Sequence, residues 1–328
     1  MARSSAMAGY SGAIEAEAAV LIDRVEREFG VEMNRKATES RIRNALAHVR
    51  AGVPYCRRML KHLKVRCLVT SVQYNWVNQI LACAAHREGI PVVELQHGMV
   101  YGAHVAYNLP VMGLEYAPDW FLTWGAYWSE HTSNYALKGT LETGYPLLDY
   151  WRRISVRKPA GRPSVMFISQ GTIGKELSRK AVELRKRFSD DGMRIIYKLH
   201  PNESRTWREL YPWLVDSGVE VVDNATRGVY DLFGEVDSVV GVYSTAVIEA
   251  LAWNLPAYVF RQLPGGDTME SFFDSGVIRP VDTVEELATL LSKDSVAGKV
   301  VDGARFWLSD AAKNIARIID DIVKDGHP

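Results

Sequence analysis

The second half of the chain repeats one pattern five times: a short, β-branched apolar run, a polar turn, then a helical segment. The runs are Ser164–Ser169, Arg194–Leu199, Val219–Val222, Ser238–Val242 and Ala257–Phe260. Short apolar runs bounded by turn residues read as strands buried on both faces. Between them Gly174–Ser189, Thr206–Ser217, Val229–Phe233 and Thr245–Trp253 carry helical spacing, and further helices are expected at Val284–Leu291 and Ala304–Val323. Strands that alternate with helices pair in parallel, with the crossover helices covering both sheet faces. The expectation is one complete doubly wound α/β domain over residues 164–328.

The first half is thinner. It is helical from Ala13 to about Leu63, with Ala18, Leu21, Ile22, Val25 and Phe29 at spacings of three and four, then runs at Glu39–Val49 and Pro54–Leu63. Only four strands follow: Val65–Ser71, Pro91–Gln96, Asp119–Trp124 and Thr140–Thr143, with a helix at Trp76–Gly89 between the first two. Charge, a glycine and two prolines in Tyr150–Pro163 mark a linker. The expected division is a disordered tail over 1–12, a first domain over 13–150, a linker over 151–163 and a second domain over 164–328. Two domains suit 328 residues.

Lys and Arg number 39, as do Asp and Glu, so the formal charge is zero and gives no argument for nucleic acid, and no nucleic-acid partner is expected. Basic clusters at Arg152–Arg162 and Arg179–Arg187 read first as solvated faces and second as contacts to an anionic membrane. Cys56, Cys67 and Cys83 form no CxxC pair and read as reduced, buried thiols. With no signal-peptide core and no apolar run of about 18 residues, the expected location is the cytoplasm, with peripheral contact at the inner face of the plasma membrane.

Ligands of open parallel sheets sit beyond the carboxyl ends of the strands. Four strand exits carry chemistry. Tyr243, Ser244 and Thr245 open the helix after Ser238–Val242, where free backbone N–H groups suit a phosphate, and Glu249 one turn on could accept from a ribose hydroxyl. Ser and Thr are also the ordinary N-caps. Lys198, His200 and Pro201 follow the second strand of the domain. Proline fixes the backbone there, and the imidazole could donate to a phosphate oxygen or simply bond a neighbouring loop. Gln170, Gly171 and Thr172 form a glycine-bearing loop after the first strand, which is neither GxGxxG nor a P-loop.

The fourth exit lies in the first domain, where Glu94, Gln96, His97 and Gly98 close the strand Pro91–Gln96. His97 is the leading general-base candidate, since imidazole titrates near working pH, with Glu94 and Glu115 in reserve. Gln96 and Gly98 are expected on the acceptor side. Gly144-Tyr145-Pro146 reads as an architectural turn. No zinc spacing, HExxH or DxD-like string occurs, so no metal is expected.

KLHP at residues 198–201, VYSTAVIEAL at 242–251 and ELQHG at 94–98 together resemble bacterial surface-polysaccharide transferases of the GT-B kind. The similar groups use cytidine-nucleotide donors: polysialyltransferase-like and Kdo-transferase-like capsule proteins, and teichoic-acid glycerophosphotransferases. The resemblance spans roughly Val65 to Phe260, and its specificity lies in the order and spacing of the motifs. It implies two Rossmann-like domains facing a cleft, with the N-terminal one reduced. It implies a metal-independent glycosyltransferase without a cofactor, moving a sugar from a CMP-sugar to a capsule, lipopolysaccharide or lipid-linked glycan acceptor. His200 with Pro201, and Ser244 with Thr245, match motifs that hold donor phosphate. His97 with Gly98 matches the HG that carries the base. QHGM departs from the longer HGTPLK string of the teichoic-acid enzymes, and the acidic DG motif of the sialyltransferases has no counterpart. Rival expectations are a UDP- or GDP-sugar transferase, a UDP-GlcNAc 2-epimerase-like enzyme, and a non-catalytic nucleotide-sugar-binding module.

Overall fold

A computed structural model describes residues 16, 18–100, 104–108, 114–132, 135–155, 161–188, 192–274, 276–297 and 303–325. The tail 1–12 and linker residues 156–160 lie outside them.

Two parallel sheets organise the chain. In the first, β1 (Leu68–Thr70), β2 (Val92–Leu95), β3 (Trp120–Thr123) and β4 (Gly139–Glu142) lie in sequence order. In the second, β5 (Ser164–Ile168), β6 (Arg194–Lys198), β7 (Glu220–Val222), β8 (Ser238–Gly241), β9 (Ala257–Phe260) and β10 (Ile278–Val281) are ordered β10-β9-β8-β5-β6-β7. All pairings are parallel, because each crossover carries the chain back before the next strand begins. The chain leaves β5 towards β6 and leaves β8 towards β9 in the opposite direction. The switch point of the second sheet therefore lies between β5 and β8.

Both faces of this sheet are buried, and the side chains alternate between them. Val165, Phe167, Tyr197, Val240 and Tyr258 enter one apolar cluster; Met166, Ile196, Val239 and Val259 enter the other. α6 (Gly174–Arg185) covers the first face through Leu177, Ala181 and Leu184, at the three- and four-residue spacing of an amphipathic helix. In the first domain α1 (residues 18–29) and α2 (Arg35–His62) lead to β1, and α2 packs through Val53 and Leu60 beside Ile80, Ala84 and Val92. Ile80 and Ala84 lie on α3 (Trp76–His86).

Several boundaries differ from the sequence reading. The helical runs expected at 39–49 and 54–63 are one helix. Pro54 removes a single N–H from α2, and burial of Val53 and Leu60 on either side of it favours continuity. The linker is shorter than 151–163, because α5 (Pro146–Ile154) continues through Arg152 and Arg153. The helix expected at 206–217 is a single turn, α7 (Trp207–Leu210), followed by a 3-10 turn at Pro212–Leu214, since proline cannot continue the first. β10 was not foreseen. It follows α10 (Glu270–Phe273) and precedes α11 (Val284–Ala297). The cysteines are half-buried rather than buried, and burial pushes the Cys67 thiol up to about 11.

The largest difference concerns the end of the chain. The last helix, α12 (Ala311–Asp325), packs Ile318 and Ile322 against Val93 and Leu122 of the first sheet. The Ala311 N–H donates to Asp149 Oδ2 at 2.7 Å, and Asn314 Nδ2 donates to the Thr143 carbonyl at 3.1 Å. Residues assigned by sequence to the second domain thus complete the first. The apolar face of α12 was legible, but not the sheet it covers.

An aromatic seam joins the halves. Trp124 stacks on Tyr145 at 4.7 Å and lies 5.1 Å from Trp307; Tyr127, on α4 (Ala126–Glu130), stacks on Phe272 at 5.1 Å. Trp128 Nε1 donates to the Phe306 carbonyl at 2.7 Å. Gly144 shows why its turn is architectural. It sits at φ +91°, and a Cβ there would meet the Leu308 carbonyl at 2.0 Å.

Candidate functional site

The exits of β5, β6 and β8 form the first half of the site. β6 and β8 both border β5, so their ends stand two strand spacings apart, about 10 Å. The β5 loop bridges that gap in both directions. Towards β8, Gln170 Oε1 accepts the Tyr243 backbone N–H at 3.2 Å, and the Thr172 hydroxyl bonds the Tyr243 hydroxyl. Towards β6, Ser169 Oγ donates to Glu203 Oε1 at 3.0 Å. Gly171 is exposed, with no atom within 4 Å of where a Cβ would lie, so the loop backbone is open to a ligand.

His200 follows β6 and caps a 3-10 turn, Pro201–Glu203. Its backbone N–H donates to Glu203 Oε2 at 2.8 Å, and its Nδ1 accepts the Asn202 N–H at 3.3 Å. With the Nδ1 lone pair used as acceptor, a neutral ring carries its proton on Nε2, the nitrogen able to donate outward. Glu203 is buried and also takes the Tyr211 hydroxyl at 2.5 Å. The carboxylate is therefore the anchor of the loop. It lies three residues after His200, the spacing of a capping box, and that is the signal by which sequence reasoning could have found it.

At the β8 exit, Ser244 Oγ accepts the Ala246 N–H at 3.3 Å and caps α9 (Thr245–Glu249), which a 3-10 turn at Ala250–Trp253 extends. The capping role is thus real, and the hydroxyl keeps its own proton to donate. Thr245 is the first residue of α9. Lys198 is buried, and its ammonium donates to Asn224 Oδ1. Burial pushes it down to about 8 against the nearby charge of Asp223. Glu249 is buried too, accepts the Tyr230 hydroxyl at 3.0 Å, and is pushed up to about 7 by loss of solvent. Tyr230 stacks on Trp151 of α5, so this end of α9 faces the other domain.

The second half of the site lies beyond β2. Gln96 ties β2 to β3: its Oε1 accepts the Trp124 N–H at 2.9 Å, and its Nε2 donates to the Gly98 carbonyl at 2.9 Å. Since Trp124 belongs to the aromatic seam, the carboxyl end of β2 lies at the junction of the halves. His97 is exposed there. Glu94 is fully buried beneath it and accepts three donors: the Gln73 N–H at 3.1 Å and the Tyr107 hydroxyl at 3.1 Å on Oε1, and the Tyr135 hydroxyl on Oε2. Burial raises its pKa, and these donors oppose the rise.

Tyr107 connects the two groups. Its hydroxyl lies 3.1 Å from Glu94 Oε1 and 3.2 Å from His97 Nδ1. The single phenolic proton goes to the carboxylate, so the oxygen accepts from His97 Nδ1–H. That leaves His97 Nε2 as the acceptor, and the Tyr74 hydroxyl donates to its lone pair at 3.2 Å. Partial burial, and secondarily His104, lower the His97 pKa, which favours the neutral ring. A neutral imidazole with a defined basic nitrogen can take a proton.

The structure thus brings His97, Glu94, Gln96 and Gly98 to the exit of β2, and Gln170 and Thr172 to Tyr243 at the exits of β5 and β8, with Gly171, Ser244 and Thr245 adjacent in the chain; His200 stands at the exit of β6, linked to Ser169 through Glu203. Glu94 meets His97 through Tyr107. Glu115 is placed elsewhere, with its exposed carboxylate on Arg87 Nε at 2.7 Å, and that guanidinium lowers its pKa. Sequence reasoning missed Gln73, Tyr74, Tyr107 and Tyr135, whose spacings to Glu94 and His97 match no local motif.

No protein-family model and no curated protein matches the sequence. Solved structures do share its fold. MnaA of S. aureus, in a co-structure with UDP, is 12% identical and superposes with a TM-score of 0.55 over 85% of this chain and 82% of that chain. The UDP-GlcNAc 2-epimerase from Neisseria meningitidis, bound to UDP-GlcNAc, is 13% identical with a TM-score of 0.57 over 83% of this chain and 81% of that chain. MurG of Acinetobacter baumannii is 15% identical with a TM-score of 0.54 over 82% and 77%. The chain has the GT-B-like fold, two parallel-sheet α/β domains of four and six strands.

Proposed function

We propose that the protein is a GT-B glycosyltransferase that takes a uridine-nucleotide sugar at the exits of β5, β6 and β8 and transfers the sugar to a hydroxyl acceptor near His97. One observation carries the reading. At the switch point of the second sheet Gln170 and Thr172 bond Tyr243, beside an exposed glycine and the capped start of α9, and His200 stands at the exit of β6, the next strand. The cytidine donor implied by the motif resemblance gives way to uridine, because the structural neighbours are described with UDP or UDP-GlcNAc. The acceptor remains a surface-polysaccharide or lipid-linked glycan.

In the proposed reaction the acceptor hydroxyl gives its proton to His97 Nε2 as its oxygen bonds the sugar C1. The bond from C1 to the phosphate oxygen breaks, and its electron pair leaves with the nucleoside diphosphate. The charge that develops there meets His200 Nε2–H, the Ser244 and Thr245 hydroxyls and the N–H groups opening α9, in place of a metal ion. Glu249 approaches the ribose. Glu94 and Tyr107 hold His97 in the productive tautomer.

An epimerase acting on UDP-GlcNAc is the second reading, favoured by the N. meningitidis neighbour. Incubation of UDP-GlcNAc with the enzyme alone, and with a glycan acceptor extract, separates the two. Transfer requires release of UDP only when acceptor is present; a change in the sugar without acceptor supports epimerisation. Nucleotide binding without turnover in either tube points to a non-catalytic binding module.

A further inference from the structure

The chain is neutral overall, yet its charge is unevenly placed. α2 carries eight Lys or Arg residues and one acidic residue, Glu39, with His48 and His62 besides. Arg35 is neutralised by Asp23 and Glu26, and Arg57 and Lys61 by Glu88. Lys36, Arg41 and Arg58 are exposed. Beside this helix lies an apolar groove of about 640 Å³, floored by Gly52 and Ile80 and walled by His48, Tyr55, Trp76 and Val77. Its rims are unusually open for apolar groups: Tyr55 is 62% exposed, Trp76 58% and Val77 43%. The His48 and Trp76 rings lie 5.2 Å apart across it. Arg41 stands two turns before His48, and Arg58 one turn after Tyr55, so cations bracket the groove on the same side of α2.

From this juxtaposition we infer that the α2–α3 face docks on an anionic phospholipid bilayer, with Tyr55 and Trp76 seated at the headgroup level and Arg41 and Arg58 on lipid phosphates. Tyr and Trp suit such an interface because each has an apolar body and a polar tip, and juxtaposed cations add attraction to anionic lipid. Charge selects this occupant over a second copy, since two copies meeting here would bring two basic helices together. The apolar floor selects it over nucleic acid. The basic clusters that the sequence offered for membrane contact are weaker: Arg185 is buried on the carbonyls of Met193 and Phe188, and Arg179 lies over the Trp213 ring. Tyr74, two residues before Trp76, touches His97, so docking brings the acceptor side of the proposed site next to the bilayer. The docking itself does not rest on that reading, and its test contains no nucleotide.

The test is co-sedimentation of the full chain with phosphatidylglycerol or phosphatidylcholine vesicles, for wild type and for the double variants Tyr55→Ala/Trp76→Ala and Arg41→Glu/Arg58→Glu. Circular dichroism melts identify variants that fail to fold. Arg58→Gln alone then serves as the milder charge probe. Wild type is expected to pellet with phosphatidylglycerol and not with phosphatidylcholine, and each folded double variant to bind at least tenfold more weakly. Three results overturn the proposal: no binding of wild type to phosphatidylglycerol, equal binding by the folded variants, or a concentration-dependent dimer that Tyr55→Ala/Trp76→Ala dissolves.

Discussion

Glu203 accepts the backbone N–H of His200 at 2.8 Å, so the chain at His200 is held by a buried carboxylate three residues further along. The same carboxylate takes Ser169 from the loop after β5 and Tyr211 from the turn after α7. Three segments that meet only in the folded state therefore converge on one side chain.

That convergence leaves no room at Gly174. A Cβ there would lie 2.1 Å from the Tyr211 hydroxyl and 2.2 Å from Glu203 Oε1. Gly174→Ala is expected to destabilise the protein by about 1–3 kcal/mol, the range for overpacking a filled interior. Chemical denaturation measures it. The donor KM should rise in the same variant, because displacing Glu203 moves His200. An unchanged midpoint would mean that the turn yields easily and does not hold the imidazole.

At the other exit the expected signature is a pH profile. His97 acts as a base only when neutral, and its pKa lies below the ordinary 6.5. The rate should therefore stay flat down to about neutrality and fall with an acidic midpoint below that value. His97→Ala should lower kcat by about 10²–10⁴-fold, the usual contribution of a general base. Tyr107→Phe removes the acceptor of Nδ1–H, so kcat should drop while donor KM stays. A Tyr107→Phe profile superimposable on wild type would remove Glu94 and Tyr107 from the account.

Glu249 gives a prediction for stability. Its folded pKa is raised from 4.5 to about 7 by burial, so the folded state binds the proton more tightly than the unfolded chain. The associated stability is present below about pH 4.5 and is lost as pH rises through about 7. Glu249→Gln keeps an acceptor for Tyr230 and cannot ionise. Relative to wild type it should gain up to about 3 kcal/mol at pH 8 and little at pH 4, by the 1.36 kcal/mol that each pKa unit represents. Denaturation curves at the two pH values check the sign. Donor affinity should fall in the same variant if the carboxylate meets the ribose.

The second domain was legible because its strands are buried on both faces, and Val165–Phe167 or Val239–Val240 can be little else. The strand exits followed from the strands, which brought His97, His200 and Ser244 into view. What escaped was held together over long separations. α12 reads as a helix, but its partners Val93 and Leu122 lie some two hundred residues earlier. Tyr135 bonds Glu94 across 41 residues. Packing choices of that kind are made by the whole fold, and no local periodicity records them.

The proposed reaction depends on a uridine-nucleotide site at the exits of β5, β6 and β8. A thermal-shift comparison of CMP, CDP, UMP, UDP and GDP on wild type, His200→Ala and Ser244→Ala tests it most directly. UDP should raise Tm most, and each variant should lose most of that shift, His200→Ala by about 3 kcal/mol at most if its contact is of the oxyanion kind. No shift with any of the five, or a UDP shift untouched by both substitutions, would contradict it.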